Sequence, residues 1–449
     1  VNSDQLQEAF AEIDLQPSRK LGQSFLTDDA FSAWIVEQLE LHAEDDVIEV
    51  GPGFGALTEH LAGRCRGLTL IEKDGRLANR LREQYAADAS IDVQHADAVA
   101  ADVRPWFVEG GVKLIGNLPY SAGSEILRTF LAPPTPVNRA IIMVQKEVGE
   151  RLCAQPGTRA FGAFSVRMQA RWKIQNLRTV GPDLFYPRPA VDSSILSFEP
   201  VAPGSLPPFS GEAFDSLVAR GFSQRRKQLR KNLNIDPDDW ERLCEKLELA
   251  STVRAEEVPL LKWIALSDHL DDHPGKAGAQ SDSELFDVVD EQDQVVRQEE
   301  RSVVHAEGCL HRAVHIFVFN KAGELYLARR SHLKDTHPGR WGSSAAGHLD
   351  AGEDYADCGV RELEEELRVS PKDGMVSLLK LPASDETDQE FVELFACRPA
   401  AGAKIRTHGS EVAAGRHFPL DLIDRWMAAR PDDFTPGFRS CFRAWRHGA

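Results

Sequence analysis

The sequence predicts an α/β protein of two domains in tandem, the first built on an open parallel sheet and the second a mixed α/β domain. Three observations carry this expectation. Over residues 47–144 short apolar strands alternate with helical stretches, the pattern of a parallel sheet covered on both faces. Helices dominate residues 211–266, including a basic stretch at 220–231. A polar segment from Leu270 to Ser283, with Pro, Gly and Ser and no periodicity, then precedes a second mixed pattern starting near Glu284. A chain of 449 residues is too long for one ordinary core. The expected division is 1–200, a helical subdomain at 201–269, a linker at 270–283 and a last domain at 284–449.

Taken in order, residues 1–16 read as a peripheral helix, and Phe25 as a buried aromatic in a loop. Phe31, Ile35 and Leu39 recur at helical spacing. Val47–Val50 is a buried strand running into Gly51-Pro52-Gly53-Phe54-Gly55, and a helix starts near Ala56. Leu68–Ile71 is a second strand, closed by Glu72; a helix at 76–86, a strand at 91–93 and then Asp97 follow. Val112–Ile115 leads through Gly116 into Asn117-Leu118-Pro119-Tyr120, a helix at 123–131 and a strand at Ala140–Val144. Phe161–Arg171 is apolar and basic, and Ser194–Phe198 closes the sheet. In the last domain, strands at His315–Phe319 and Leu325–Leu327 precede an acidic helix at 361–367.

The net charge of −18 seems to oppose a nucleic-acid partner, but its distribution does not. Arg151–Arg188 holds seven basic residues with Asp183 as the single acid, and Arg220–Lys231 holds six with none. A locally basic face on an acidic protein can bind phosphates. The seven cysteines are scattered and never in CxxC spacing, which argues for a reducing compartment and against a disulfide frame or a cysteine zinc site. No apolar run reaches a membrane span, and the N-terminus has no secretory pattern. A cytoplasmic protein without a membrane partner is expected, and a monomer.

Two constellations carry chemistry. Gly51, Gly53 and Gly55 between strand and helix let backbone approach a ligand. Glu72 and Asp97 end the next two strands, where carboxylates can accept from ribose hydroxyls and from an adenine amine, although an Asp there is as often a helix cap. That set serves NAD and S-adenosylmethionine alike. Asn117-Leu118-Pro119-Tyr120 separates the two, because methyl transfer to an amine needs an acceptor for the amine hydrogens and a ring on which the base stacks. Further on, Glu362, Glu365 and Glu366 lie at i, i+3 and i+4 on one helical face, where like charges are unfavourable unless a cation such as Mg²⁺ or Mn²⁺ sits among them. Glu353 and Arg361 are placed to fix the preceding loop to that helix.

Residues 18–268 resemble the KsgA-type ribosomal RNA adenine dimethyltransferases. The resemblance rests on Gly22-Gln23-Ser24-Phe25-Leu26, Glu49-Val50-Gly51-Pro52-Gly53, Glu72, Asp97-Ala98, Asn117-Leu118-Pro119-Tyr120 and Gln145-Lys146-Glu147-Val148. Phe185-x-Pro187-x-Pro189-x-Val191-Asp192-Ser193 and Phe222-Ser223-Gln224-Arg225-Arg226-Lys227 extend it. It implies a Rossmann-like methyltransferase with a C-terminal helical subdomain. S-adenosyl-L-methionine would be held by Ser24, Leu26, Gly51, Gly53, Glu72, Asp97 and Asn117, with Asn117, Leu118, Pro119 and Tyr120 as the catalytic set. The implied substrate is a pair of adjacent adenosines near the 3′ end of small-subunit rRNA in the pre-30S particle. RNA docking falls to the helical part through Arg220, Arg225, Arg226, Lys227, Arg230 and Lys231. Ser24 stands where Asn or His is usual, and Ala190 where Lys is common. A non-catalytic assembly factor on pre-rRNA is the alternative.

Gly347-x5-Glu353-x7-Arg361-Glu362-Leu363-x-Glu365-Glu366 resembles the Nudix box, which implies a Nudix α/β/α sandwich over about 284–445. The implied reaction is metal-assisted hydrolysis of a nucleoside-diphosphate-type small molecule. Glu362, Glu365 and Glu366 would hold Mg²⁺ or Mn²⁺, with Glu365 as catalytic residue and Glu411 a weaker candidate base. The alternative is a nucleotide-binding module. Arg368 stands where the box has glycine, so the helix end is expected to turn differently. His311–His348 also resembles the isopentenyl diphosphate isomerase branch of this fold. That branch uses a cysteine just before the box, whereas Ser343 and Ser344 stand here, and the isomerase reading is rejected. His311 and His348 are read as structural or substrate-contacting rather than metal ligands.

Overall fold

The computed structural model describes residues 3–12, 23–273, 284–400 and 402–448. Most of the expected linker, 274–283, and Gly22 of the first motif lie outside these residues. The chain forms two compact units. One comprises Val1–Ala202, Gly221–Cys244 and Leu249–Leu260; the other comprises Pro203–Arg220, Glu245–Glu248 and Leu261–Ala449.

The first unit contains β1 (Phe25–Leu26), β2 (Asp46–Val50), β3 (Gly67–Glu72), β4 (Ile91–His95), β5 (Val112–Asn117), β6 (Val137–Gln145), β7 (Trp172–Val180), β8 (Phe185–Tyr186) and β9 (Ser193–Pro200). Seven of them form one sheet in the order β4-β3-β2-β5-β6-β9-β7. The first five run parallel, and β9 lies antiparallel between β6 and β7. Successive residues of each strand point to opposite faces. Ile48, Leu114, Ile142 and Leu196 therefore join one core, and Val47, Ile115, Ile141 and Ile195 the other. The order reverses at β2, and the glycine loop leaves its carboxyl end, the place where open α/β sheets bind ligands.

Two expectations change here. β7 has no counterpart in the sequence reading, because this edge strand buries little besides its end residues Trp172 and Val180 and carries polar residues between them. The basic stretch 220–231 is not one helix. The helix Gly211–Gly221 stops, a turn covers 222–228, and a short helix, Leu229–Leu233, follows. Glycine and serine at 221 and 223 disfavour continuation, and the Asn232 amide donates to the carbonyls of Gly221 (2.6 Å) and Gln224 (3.1 Å).

The second unit contains β10 (Leu285–Val289), β11 (Val295–Glu300), β12 (His311–Val318), β13 (Leu325–Arg330), β14 (Trp341–Gly342), β15 (Ala345–His348), β16 (Val376–Leu381), β17 (Glu390–Cys397) and β18 (Val412–Phe418). They form a hairpin, β10-β11, a four-stranded sheet, β15-β12-β17-β16, and a three-stranded sheet, β14-β13-β18. Alternation along β12 explains the sandwich. Val314, Ile316 and Val318 pack with Cys358, Leu363 and Leu367 of the acidic helix. Phe317 faces the other way and meets Phe438, Phe442 and Trp445 of the helix Pro436–His447.

Among the described residues no helix is long and apolar enough to cross a membrane. All seven cysteines are free.

Candidate active sites

One cavity opens over the carboxyl ends of the parallel strands. It is lined by Ser24, Leu26, Gly51, Gly53, Glu72, Asp97 and Asn117 through Tyr120, so the residues singled out for cofactor and base come together. Gly51, Gly53 and Gly55 all take left-handed backbone. Gly53 is doubly constrained, because a Cβ there would meet the Phe25 ring at 2.7 Å.

Glu72 is buried, and both its oxygens are anchored: one accepts from Gly53 N–H at 3.1 Å, the other from Asp74 N–H at 2.8 Å. Burial pushes its carboxyl above the usual range, against the backbone bonds that lower it. The carboxylate is thus fixed by the glycine loop itself while lining the cavity. Asp97 behaves as the cap that the sequence left open. Its Oδ1 accepts from Val99 N–H at 3.0 Å and its Oδ2 pairs with Lys73 at 2.7 Å, which, together with that cap, holds the carboxyl below its ordinary value.

At the end of β5, the Asn117 Nδ2 donates to the Ser24 carbonyl at 2.8 Å. This bond fixes the flip of the amide, so Oδ1 remains as the acceptor. It also uses the backbone of Ser24, not its side chain, whose hydroxyl donates to the Pro187 carbonyl at 3.2 Å. The departure at position 24 therefore leaves the Asn117 contact intact. Leu118 is buried and its N–H donates to the Met143 carbonyl at 3.0 Å; the Pro119 carbonyl receives Ala122 and Gly123 at the start of the next helix. The Tyr120 hydroxyl lies 2.9 Å from Ser193 Oγ, a bond the sequence reading missed. The distant motifs serve as a brace: Phe25 pairs with Tyr186, and Lys146 meets Asp192 at 3.2 Å.

Of the basic residues at 220–231, Arg220, Arg225, Arg226, Lys227 and Lys231 are exposed. Arg225 donates to the Arg159 carbonyl, and Arg230, half-buried, to that of Ile235 at 3.1 Å.

The second cavity is about 630 Å³ and is lined by Glu366, Glu411, His305, His315, His348 and Arg330 among others, a volume within the roughly 300–1,000 Å³ of small-molecule sites. The acidic helix, Tyr355–Glu362, continues as a π turn over Leu363–Leu367 instead of a plain α-helix, a feature frequent at functional sites. Glu362 is buried against β15, and a Cβ on Gly347 would lie 2.1 Å from its carboxylate; only glycine leaves that space. Arg361 does what its spacing suggests. It holds Glu353 by two bonds of 3.0 and 2.9 Å and reaches Glu362 at 2.7 Å and Glu365 at 3.2 Å. Burial, with repulsion from Glu366, pushes Glu362 up to about 8, and burial pushes Glu366 up to about 7. Glu365 is far more exposed, and Glu411 forms an ion pair with Lys334. Three carboxylates at this spacing, offset in part by Arg361 and by Lys334 and Arg330 near Glu366, can take a divalent cation.

The helix end corrects an expectation. Arg368 adopts the left-handed conformation (φ 55°) that glycine would take, so the helix turns as the box glycine would turn it. Its side chain compensates, bonding Glu364 at 2.7 Å and Asp272 at 3.1 Å.

The structure also assembles a group that no motif announced. Ligand nitrogens of His305, His311 and His348 lie within 4.8 Å of one another. His311 is buried and its Nδ1 lies 2.9 Å from the Cys309 carbonyl; His348 Nε2 lies 2.9 Å from Glu390. Those bonds leave His311 Nε2 and His348 Nδ1 buried without a hydrogen-bond partner. Burial and the neighbouring rings push His305 down to about 4. Three imidazoles this close together can hold a transition-metal ion. The residues are too far apart in sequence for spacing to reveal them.

Comparison with known proteins finds two families along the chain. The profile of the family described as ribosomal RNA adenine dimethylase matches residues 15–272, and that of the NUDIX domain matches residues 310–438. A Bordetella pertussis protein named ribosomal RNA small subunit methyltransferase A is 39% identical over 257 residues, covering 57% of this chain and 94% of the relative. Its namesake from Picosynechococcus is 33% identical over 272 residues, covering 58% and 99%. The solved structure of the 23S rRNA methyltransferase ErmE is similar to 55% of this chain over 100% of its own, with 28% identity and a TM-score of 0.46.

Proposed function

Since the chain belongs to the ribosomal RNA adenine dimethylase family and carries a NUDIX domain behind it, we propose that it dimethylates N6 of two adjacent adenosines near the 3′ end of small-subunit rRNA. The single observation that carries the reading is the oriented Asn117 amide, locked by the Ser24 carbonyl at 2.8 Å beside the Tyr120 ring.

Gly51, Gly53, Leu26 and the buried Glu72 would hold S-adenosylmethionine, with Glu72 accepting from ribose hydroxyls; the anchored carboxylate and the open backbone at Gly53 fit such a group. When bound, it supplies an electrophilic methyl group. The protein's own task is to present the amine. Asn117 Oδ1 accepts one amine hydrogen, which turns the nitrogen lone pair out of conjugation with the ring. Tyr120, held by Ser193, stacks on an adenine extruded from its helix. Positioning and oriented dipoles lower the barrier, and no strong base is required. The exposed Arg225, Arg226, Lys227 and Lys231 give a phosphate-binding surface suited to the RNA around the target.

For the NUDIX half, the proposed activity is hydrolysis of a nucleoside-diphosphate-type substrate with Mg²⁺ or Mn²⁺ on Glu362, Glu365 and Glu366. Glu365 is the more exposed carboxylate and suits a base that must reach water.

The test uses labelled S-adenosylmethionine with small ribosomal subunits lacking the modification. Label on two adjacent adenosines supports the proposal. RNA binding without label supports an assembly factor and removes it. A diphosphate screen, with Glu365→Gln as control, tests the second half: binding without turnover of any substrate identifies a nucleotide-binding module.

A further inference from the structure

Residues 203–220 and 261–272 fall within the ribosomal RNA adenine dimethylase match, yet they belong to the compact unit that holds β10–β18. The contacts show why. Arg406 donates to Asp271 at 2.7 Å and to Asp272 at 3.2 Å, and its carbonyl lies 2.9 Å from His273 Nε2. The Asp271 side chain is buried, so the pair is shielded on its acidic side although Arg406 and Asp272 reach solvent. Gly409 N–H donates to the Phe209 carbonyl at 3.2 Å. Arg368 adds a bond to Asp272 at 3.1 Å from its left-handed position.

The same residues lead into the second cavity. Arg406 N–H donates to the carbonyl of Leu367 at 2.9 Å, at the end of the π turn that carries Glu365 and Glu366. The Gly409 carbonyl accepts from Ser331 Oγ at 2.6 Å, and Ser331 N–H donates to the carbonyl of Glu411 at 2.9 Å. Glu411 and Glu366 both line the cavity.

We propose that the C-terminal end of the methyltransferase half is a docking surface for the NUDIX half of the same chain. Arg368 and Arg406 latch onto Asp271 and Asp272, and through Leu367 and the 406–411 loop they position Glu366 and Glu411. This accounts for an arginine at a backbone position that favours glycine: glycine would relax the backbone and lose the latch. Coupling of this kind is reciprocal, so a ligand in the NUDIX cavity also tightens the 261–273 segment. The consequence for turnover rests on the hydrolase reading above; the latch does not.

Hydrogen exchange on the full chain, read by mass spectrometry, tests it. Arg406→Gln is expected to speed exchange at 364–369 and 404–412 at least tenfold while leaving β12 unchanged, which also shows that the unit remains folded. Arg368→Gly and Asp272→Asn are expected to combine to less than the product of their separate effects, because both remove the contact between these two residues. Unchanged exchange at 404–412 in Arg406→Gln, or fully multiplicative effects in the pair, overturns the latch. Turnover of a diphosphate substrate is expected to fall in Arg406→Gln through kcat rather than KM. If the wild-type chain hydrolyses no diphosphate, the hydrolase reading fails, and the exchange data alone decide the latch.

Discussion

The two candidate centres solve opposite electrostatic problems. The Asn117 amide and the Tyr120 ring are neutral groups, and each is fixed by one bond: Asn117 by the Ser24 carbonyl and Tyr120 by Ser193. Around Glu362 and Glu366 charge is concentrated where burial penalises it, and Arg361 offsets only part. On the proposed reading the first centre depends on aim. The second packs carboxylates whose mutual repulsion a cation would relieve, and on the proposed hydrolase reading it depends on metal and on pH. The difference teaches that one chain can build two pockets that handle charge in opposite ways.

The largest effect that would break this comparison is at the acidic centre. Glu365→Gln, or removal of divalent metal, is expected to lower diphosphate turnover by about 10²–10⁴-fold, while methyl transfer by the Glu365→Gln protein stays at wild-type level; parallel loss of both would merge the two centres. Next, Asn117→Ala is expected to cost about 10²–10³-fold in methyl transfer, the scale of one lost oriented dipole, with RNA binding preserved in a filter or gel-shift assay. Third, metal affinity measured by calorimetry is expected to rise with pH. Glu362 and Glu366, pushed up to about 8 and about 7, hold protons near neutrality that metal must displace. Affinity therefore climbs between pH 6 and 8 by roughly tenfold per pH unit for each displaced proton, and a flat profile would contradict the mutual repulsion.

Two smaller effects sharpen the contrast. Ser193→Ala removes one hydrogen bond of about 0.5–1.5 kcal/mol, so methyl transfer is expected to fall about 3–10-fold with little change in cofactor affinity. Glu49, buried beneath the glycine loop and pushed up to about 8, keeps its proton when folded and loses it above about 4.5 when unfolded. Its contribution to stability is therefore present at low pH and lost as pH rises towards 8. Glu49→Gln is expected to raise the thermal midpoint at pH 8 by on the order of 2–4 °C and to have less effect at pH 5.

What was legible in the sequence was what is local. The glycine loop, Glu72 and Asn117–Tyr120 sit at consecutive strand ends, so strand–helix alternation alone brings them to one sheet edge. The box spacing likewise places Arg361 on Glu353. What stayed hidden depends on long-range contacts. Ser193 reaches Tyr120 across 73 residues, and the three histidines meet through β12, β15 and the helix Arg301–Glu307. The π turn cannot be read from Leu-Glu-Glu-Glu-Leu, whose spacing is equally that of an α-helix. Arg368 looked like a lapse in a motif because its partner, Asp272, is 96 residues away.

The most direct test of the central claim is methyl transfer to unmodified small ribosomal subunits by the wild-type chain and by Asn117→Ala, read as dimethyladenosine after digestion of the rRNA. The account predicts two adjacent dimethylated adenosines with the wild type and almost none with Asn117→Ala at equal RNA occupancy. Full dimethylation by Asn117→Ala, or wild-type label at any other position, would contradict it.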